Sequence, residues 1–368
     1  MASGLSVFSS PSRYVQGPGA TGFLAGELKY LGFSGSVLIV ASSSAARLLS
    51  AIWEKTFAAA GLKFQVHAFS GECTAEEILA IEFRARQQAA DVIVGSGGGK
   101  VLDAARAAAA SLGIGFCSAP TLASSDAPCS ALSVVYHSNG EVSEYRILRR
   151  NPDLVLVDSD VVARAPSRLL VAGMGDALAT WFEARTCAAN KVRNMRGGAS
   201  TMSALALAEL CYKTLLSDGE AAITAVLNQK SNASLERLIE ANTLLSGLGF
   251  ESSGLAAAHA VHNGLTALPA THDFYHGEKV AFGVIVQLVL ESAPMQEIEE
   301  VLKFSRSVGL PTSLRQIGIL NPLPADLLLI GERTCQPGET IHNEPFRVDA
   351  KMVAEAIKEA DGIGSRFS

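Results

Sequence analysis

The chain has 368 residues, 48% hydrophobic and 18% charged, with a formal net charge of −6. This length suits two domains. The negative balance and the lack of a basic run argue against a nucleic-acid partner, and no apolar stretch approaches the 18 residues of a spanning helix. The N-terminus lacks a signal peptide's basic and apolar regions. Six cysteines without a C-x-x-C pair argue against structural zinc and for free thiols in a reducing cytoplasm. Ala-rich helices and a mean hydropathy of +0.26 suggest a homo-oligomer.

The first half reads as alternating strands and helices. Ser36–Ala41 is a short β-branched run, and Ser42-Ser43-Ser44 then caps a helix to about Ala60. Lys63–Ala68 alternates like a strand, and Thr74 with Glu77 three residues on forms a capping-box start. Asp91–Val94 is a strand running into Gly95-Ser96-Gly97-Gly98-Gly99-Lys100, followed by an Ala-rich helix to Ser111. Continuous apolar strands separated by helices predict a parallel sheet covered on both faces, with ligands beyond the carboxyl ends of its strands. The glycine run opens a helix there, so its N–H groups suit a diphosphate. It matches neither the Walker A pattern nor G-x-G-x-x-G, because Lys100 stands where the third glycine belongs. After a strand at Gly115–Ser118, the loop 119–130 holds one acid, Asp126; Ser138-Asn139-Gly140 between two strands is a hairpin signal.

Beyond a strand at Asp153–Asp158 the β-branched runs stop, which places a domain boundary near 163. Helices are predicted over about 168–190, 200–216, 233–248, 254–266, 277–292, 294–308 and 349–361. Asp176 lies in the Gly/Ala-rich GMGDALATWFEA (173–184), where an unpaired buried carboxylate is costly and wants a cation. Four of the seven histidines, His259, His262, His272 and His276, fall within 18 positions. Together, Asp176, His259 and His276 make three N/O ligands with one open position, the catalytic rather than the structural zinc pattern.

These stretches resemble the iron-containing alcohol dehydrogenase superfamily and, within it, the zinc-dependent glycerol dehydrogenase subfamily. The motifs are GSGGGKVLDAARA (95–107), PTLASSDAPCSALSVVY (120–136), GMGDALATWFEA (173–184), AAAHAVHNGLTALP (256–269), FYHGEKVAFG (274–283) and ETIHNEPF (339–346). The resemblance implies the dehydroquinate synthase-like fold: an N-terminal α/β Rossmann-like domain (1–163) binding a dinucleotide and an all-α C-terminal domain (164–368) carrying the metal. It implies oxidation of glycerol and related vicinal diols to dihydroxyacetone by zinc-assisted hydride transfer to NAD. The same carry-over makes Asp176, His259 and His276 ligands of Zn²⁺ that also meet the substrate. It places Gly97, Gly98, Gly99, Lys100, Val101, Thr121, Ser124, Ser130, Leu132 and Tyr136 at the cofactor. Asp126 becomes a catalytic and substrate contact and His262 a relay beside the metal, while His272 falls in a loop and His342 in a motif without a derived role. The assembly implied is a homo-oligomer, with an octamer as its possible size.

Two positions depart from the pattern. Iron-dependent members place a histidine four residues after the metal-binding Asp; here Thr180 stands there, leaving three ligands and favouring zinc. Domains preferring NAD carry an acid after the second strand; here it is Ser42, with Arg47 nearby, so Ser42 is a cofactor contact and NAD remains the expected cofactor, with tolerance of NADP left open. Rival readings are a phosphate-handling lyase of the same fold, which needs more bases near the metal than Lys279, a dehydrogenase of another small polyol or 2-hydroxycarboxylate, and a non-catalytic scaffold.

Overall fold

The computed structural model describes residues 4–137 and 142–367; the expected hairpin turn Ser138-Asn139-Gly140 lies outside them. The chain divides into an α/β unit of Ser9–Pro166 and Ala225–Leu244, and a helical unit of Met1–Phe8, Ser167–Thr224 and Leu245–Ser368. The expected blocks 1–163 and 164–368 differ from these units by two exchanged segments. The N-terminal segment joins the helical unit because Asn194 Nδ2 donates to Val7 O at 2.7 Å and Val7 N to Ala199 O at 3.1 Å. Residues 225–244 join the α/β unit because Gln16 Nε2 donates to Glu236 O at 2.8 Å and Tyr14 Oη bonds Thr243 Oγ1 at 2.8 Å.

The strands of the α/β unit are β1 (Tyr14–Gly17), β2 (Ser36–Ala41), β3 (Lys63–Ala68), β4 (Ala90–Gly97), β5 (Gly115–Pro120), β6 (Leu132–Tyr136), β7 (Val142–Ile147) and β8 (Leu154–Asp158). Its helices are α1 (Leu24–Tyr30), α2 (Ser43–Ala60), α3 (Ala75–Gln87), α4 (Gly99–Leu112), α5 (Ser159–Val162) and, later in the chain, α8 (Ala233–Glu240). Six strands form a parallel sheet in the order β1-β8-β5-β4-β2-β3, and β6 and β7 pair antiparallel. Side chains alternate faces along each strand. Thus Val37 and Ile39 pack with Leu49, Trp53 and Phe57 of α2, while Leu38, Val40 and Ile93 pack with Ile78 and Ile81 of α3 and the alanines of α4. The chain runs from β2 outward to β3 and returns to β4 on the other side of β2. The carboxyl ends of β2 and β4 therefore mark the switch point where such sheets bind ligands. As expected, Ser42 caps α2 and Thr74 caps α3, each accepting from the N–H three residues on. Glu77 bonds His67 and Ser70 N instead of closing a capping box.

The helical unit contains α6 (Ser167–Ala189), α7 (Met202–Leu227, which begins here), α9 (Ser246–Ser253), α10 (Ala257–Leu265), α11 (His276–Leu290), α12 (Met295–Val308), α13 (Pro324–Thr334) and α14 (Ala350–Arg366). The single helix expected over 233–248 is broken into α8, a π-turn at Ala241–Leu245 and α9. Among the described residues, no helix is long and apolar enough to cross a membrane.

Candidate metal and nucleotide sites

Asp176 sits mid-way along α6, His259 on α10, and His276 opens α11. A Cβ on Gly277 would lie 1.8 Å from Ala172 O and 2.9 Å from Asp176 N. Glycine is therefore what lets α11 meet α6 backbone to backbone, and that crossing sets His276 beside Asp176. One ligand atom from each of Asp176, His259 and His276 lies within 4.8 Å of the others. Both imidazole Nε2 atoms point at the same Asp176 Oδ1, from 3.1 Å for His276 and 3.3 Å for His259.

The hydrogen bonds behind the rings define what Nε2 offers. Glu183 lies on the same helix as Asp176, two turns on, and is fully buried. It accepts from Ala256 N at 2.8 Å, His259 N at 3.0 Å and His259 Nδ1 at 2.6 Å. With Nδ1 donating, His259 Nε2 is a lone pair aimed at a carboxylate oxygen. One carboxylate oxygen and two imidazole nitrogens converging from three directions fit a divalent cation. The same acids draw positive charge to this point. Burial alone would raise the Asp176 carboxyl, yet His276 and His259 hold it well below the usual carboxylate range. Burial opposes charge on His259, yet Glu183 and Asp176 lift it well above its ordinary value.

Thr180 is buried and bonds Ser246 Oγ at 2.8 Å, and its methyl group fills the space beside Gly249. It stands outside the metal-ligand group. His262 Nε2 lies 3.1 Å from His276 Nδ1, and burial followed by His276 pushes its ring well below its ordinary value. His272 and His342 turn to the carbonyls of Thr266 and Gln336 and stand apart from the group. Lys279 donates to Thr271 O. Sequence reasoning missed Glu183, although its place seven residues after Asp176 puts both acids on one helix face.

In the α/β unit the glycine run spans the end of β4 and the start of α4. A Cβ at Gly97 would meet Val101 Cγ2 at 2.7 Å and Ser42 Cβ at 3.4 Å, so the loop is bare backbone of the kind a diphosphate approaches. Gly98 caps α4 without a side chain, and the N–H groups of the first turn have no carbonyl ahead of them in the helix. Thr121 N donates to Gly97 O at 3.1 Å, drawing the loop after β5 to the glycine run. Ser124 and Asp126 are half-buried in that loop, Ser130 is buried, and Leu132 and Tyr136 bound β6. Lys100, expected to face phosphates, pairs with Glu72 Oε2 at 2.5 Å and lies over the Tyr136 ring. Ser42 Oγ is engaged as the cap of α2. The loop is braced by a pair that went unforeseen. Buried Arg106 of α4 bonds Asp103 at 2.8 Å and donates to Ala127 O and Leu132 O. Burial raises Asp103 to about 6, against the pull of Arg106.

The family model for iron-containing alcohol dehydrogenase matches residues 11–159. A glycerol dehydrogenase from Escherichia coli O6:H1 is 49% identical, covering 98% of each chain. A glycolaldehyde reductase from Halobacterium salinarum is 47% identical, again over 98% of each chain. The solved structure of a glycerol dehydrogenase from Schizosaccharomyces pombe superposes with a TM-score of 0.95 at 35% identity, covering 100% of this chain and 93% of that one. Near-complete coverage at this identity, with the α/β and helical units already described, makes the chain a member of the iron-containing alcohol dehydrogenase family and an oxidoreductase.

Proposed function

We propose that the chain is an NAD-dependent glycerol dehydrogenase, oxidising glycerol and related vicinal diols to dihydroxyacetone and its analogues with the help of Zn²⁺. The observation that carries this reading is the convergence of two imidazole lone pairs and a buried carboxylate oxygen, backed by Glu183. Thr180, in its pocket against Ser246 and Gly249, supports a three-ligand zinc site over a four-ligand iron site.

Asp176, His259 and His276 hold the metal and meet the substrate hydroxyl. Glu183 keeps the proton of His259 on Nδ1, and His262 accepts at Nε2 from His276, a supporting place in proton movement near the site. The backbone of Gly97, Gly98, Gly99, Lys100 and Val101 takes the cofactor diphosphate, with Ser42, Thr121, Ser124, Ser130, Leu132 and Tyr136 around the rest of NAD. Asp126 is assigned to a second substrate hydroxyl on the strength of its motif. When bound, the divalent ion supplies Lewis-acid polarisation of the hydroxyl, and the nicotinamide accepts the hydride.

Self-association is supported by Leu79 and Phe83, one helical turn apart on α3 and 62% and 60% exposed; light scattering checks for a homo-oligomer and whether it is an octamer. The six free thiols suit the cytoplasm. The test of function is NADH formation across a panel of polyols and hydroxyacids, with metal analysis on the same sample. Glycerol turnover with one zinc per chain is expected. A metal-free chain that turns over glycerol, or an iron-loaded one, overturns the zinc reading, and inactivity on every polyol overturns the function. The likeness to a glycolaldehyde reductase favours a second reading, reduction of small hydroxyaldehydes, which the same panel run with NADH distinguishes.

A further inference from the structure

We propose that Arg333, Glu339 and Asn263 form a polarity clamp that dictates which nitrogen of His276 carries its proton, and so prepares His276 as a ligand. The proposal deepens the metal assignment above and rests on it.

The direction of every hydrogen bond in the chain follows from its far end. Arg333 offers only donors, and its Nη1 pairs with Glu339 Oε1. Glu339, a carboxylate, offers only acceptors. Its Oε2 lies 2.8 Å from Asn263 Nδ2, so the amide donates there. Asn263 Oδ1 is thereby turned to His262 Nδ1 at 3.0 Å, and this nitrogen must carry the proton. His262 Nε2 is then a bare acceptor facing His276 Nδ1 at 3.1 Å, which must donate. In the neutral ring this leaves the lone pair on His276 Nε2, the nitrogen that faces Asp176 Oδ1. Glu183 does the same for His259 in one step; for His276 the instruction passes through two side chains from a carboxylate on a different segment.

That segment is ETIHNEPF, whose role the sequence left open. It grips the entry of α10, the helix that carries His259, at several points besides Glu339. Thr340 Oγ1 donates to Ala256 O at 2.6 Å, Asn343 Nδ2 to Leu255 O at 2.8 Å, and Glu344 Oε1 accepts from Ala257 N at 3.1 Å. Of these four, Glu339 alone reaches the ring chain; the other three hold backbone. The segment therefore separates into a part that positions and a part that sets polarity.

Glu339→Gln tests the clamp, because the substituted side chain satisfies Arg333 with its amide oxygen and turns its NH₂ to Asn263. The Asn263 amide then flips, both ring polarities reverse, and His276 Nε2 carries a proton. The readouts are zinc affinity by chelator competition and the visible spectrum of the Co²⁺-substituted protein, with apo-protein melting as the control for folding. Zinc affinity about 10- to 100-fold weaker, the usual effect of removing a partner behind a metal ligand, and an altered Co²⁺ spectrum are expected. The double variant Asn263→Asp with Glu339→Gln restores an acceptor towards His262, so affinity and spectrum return to wild type. Thr340→Val removes a grip on backbone only, so wild-type affinity is expected. Wild-type affinity in Glu339→Gln, no recovery in the double variant, or an equal loss in Thr340→Val overturns the clamp. If Glu339→Gln does not fold, Asn263→Ala, which removes the acceptor behind His262 Nδ1, takes its place: weakened zinc affinity is expected, and wild-type affinity overturns the clamp. Failure of the wild-type protein itself to bind a divalent ion overturns the metal assignment instead.

Discussion

Replacing Gly277 with alanine places one methyl group at the crossing that brings two candidate ligands, Asp176 and His276, together. Its Cβ would sit 1.8 Å from Ala172 O, where real contacts do not fall below 3.0 Å. The gap of 3.0 − 1.8 means that α11 and α6 separate by about 1.2 Å, as buried backbone has no rotamer to yield. Overpacking of this kind costs roughly 1–3 kcal/mol. At about 2–4 °C per kcal/mol for domains of 150–250 residues, apo-protein melting falls by at least a few degrees. The larger effect is on the site, since Asp176 N lies only 2.9 Å from the same Cβ and His276 is the adjacent residue. A displacement of about 1 Å in a reacting constellation costs on the order of 100-fold in rate. Scanning calorimetry of the apo-protein, zinc affinity and glycerol turnover measure the three consequences. Unchanged melting together with unchanged zinc affinity would refute the view that this close crossing builds the site.

Glu183→Gln presents an NH₂ to His259 Nδ1 when its oxygen keeps the Ala256 and His259 N–H groups; zinc affinity about 10- to 100-fold weaker is expected from chelator competition. Ser42→Asp keeps a side-chain cap for α2 and adds a charge-assisted partner for a ribose hydroxyl, so the ratio of kcat/KM for NAD over NADP rises about tenfold or more. A wild-type protein already many-thousandfold selective for NAD refutes the reasoning about Ser42. Asp103 titrates higher folded than unfolded, so its contribution to stability is complete below its ordinary 3.8 and is lost as pH rises through about 6. That rise corresponds to about 3 kcal/mol, and urea melts between pH 4 and 7 should show a decline that Asp103→Asn flattens.

The alternation from β2 to α4 was legible because β2 and β4 carry apolar runs, β3 alternates, and each helix opens on a serine, threonine or glycine. β1 escaped notice: Tyr14–Gly17 is four half-buried residues, and edge position rather than apolar content makes it a strand. The break in the expected 233–248 helix went unseen because propensity does not register a π-turn. α13 was missed although Pro324 opens it and proline suits a first helical turn. The three metal-ligand candidates could be named because acids are rare in α6 and histidines are crowded near α10 and α11. Their supports were another matter. Asn263 and Glu339 lie 76 residues apart, and the direction in which an amide points is set by its partners in space, which no spacing rule encodes. Glu72 was equally hidden: a base after a glycine run suggested phosphate, and nothing in the spacing showed that Lys100 also pairs with a carboxylate 28 residues before it.

The return of residues 225–244 to the α/β unit bears on how the chain is made. When a ribosome has released Pro166, the sheet's edge at β1 still lacks Glu236 and Thr243, the partners of Gln16 and Tyr14. Those arrive only after α6 and all of α7 have emerged. The α/β unit therefore matures while the other unit is already under construction, and neither is a module that evolution or an engineer can lift out by a single cut at residue 163. A graft of the α/β unit onto another partner would have to bring α8 with it, tied across the sheet's edge.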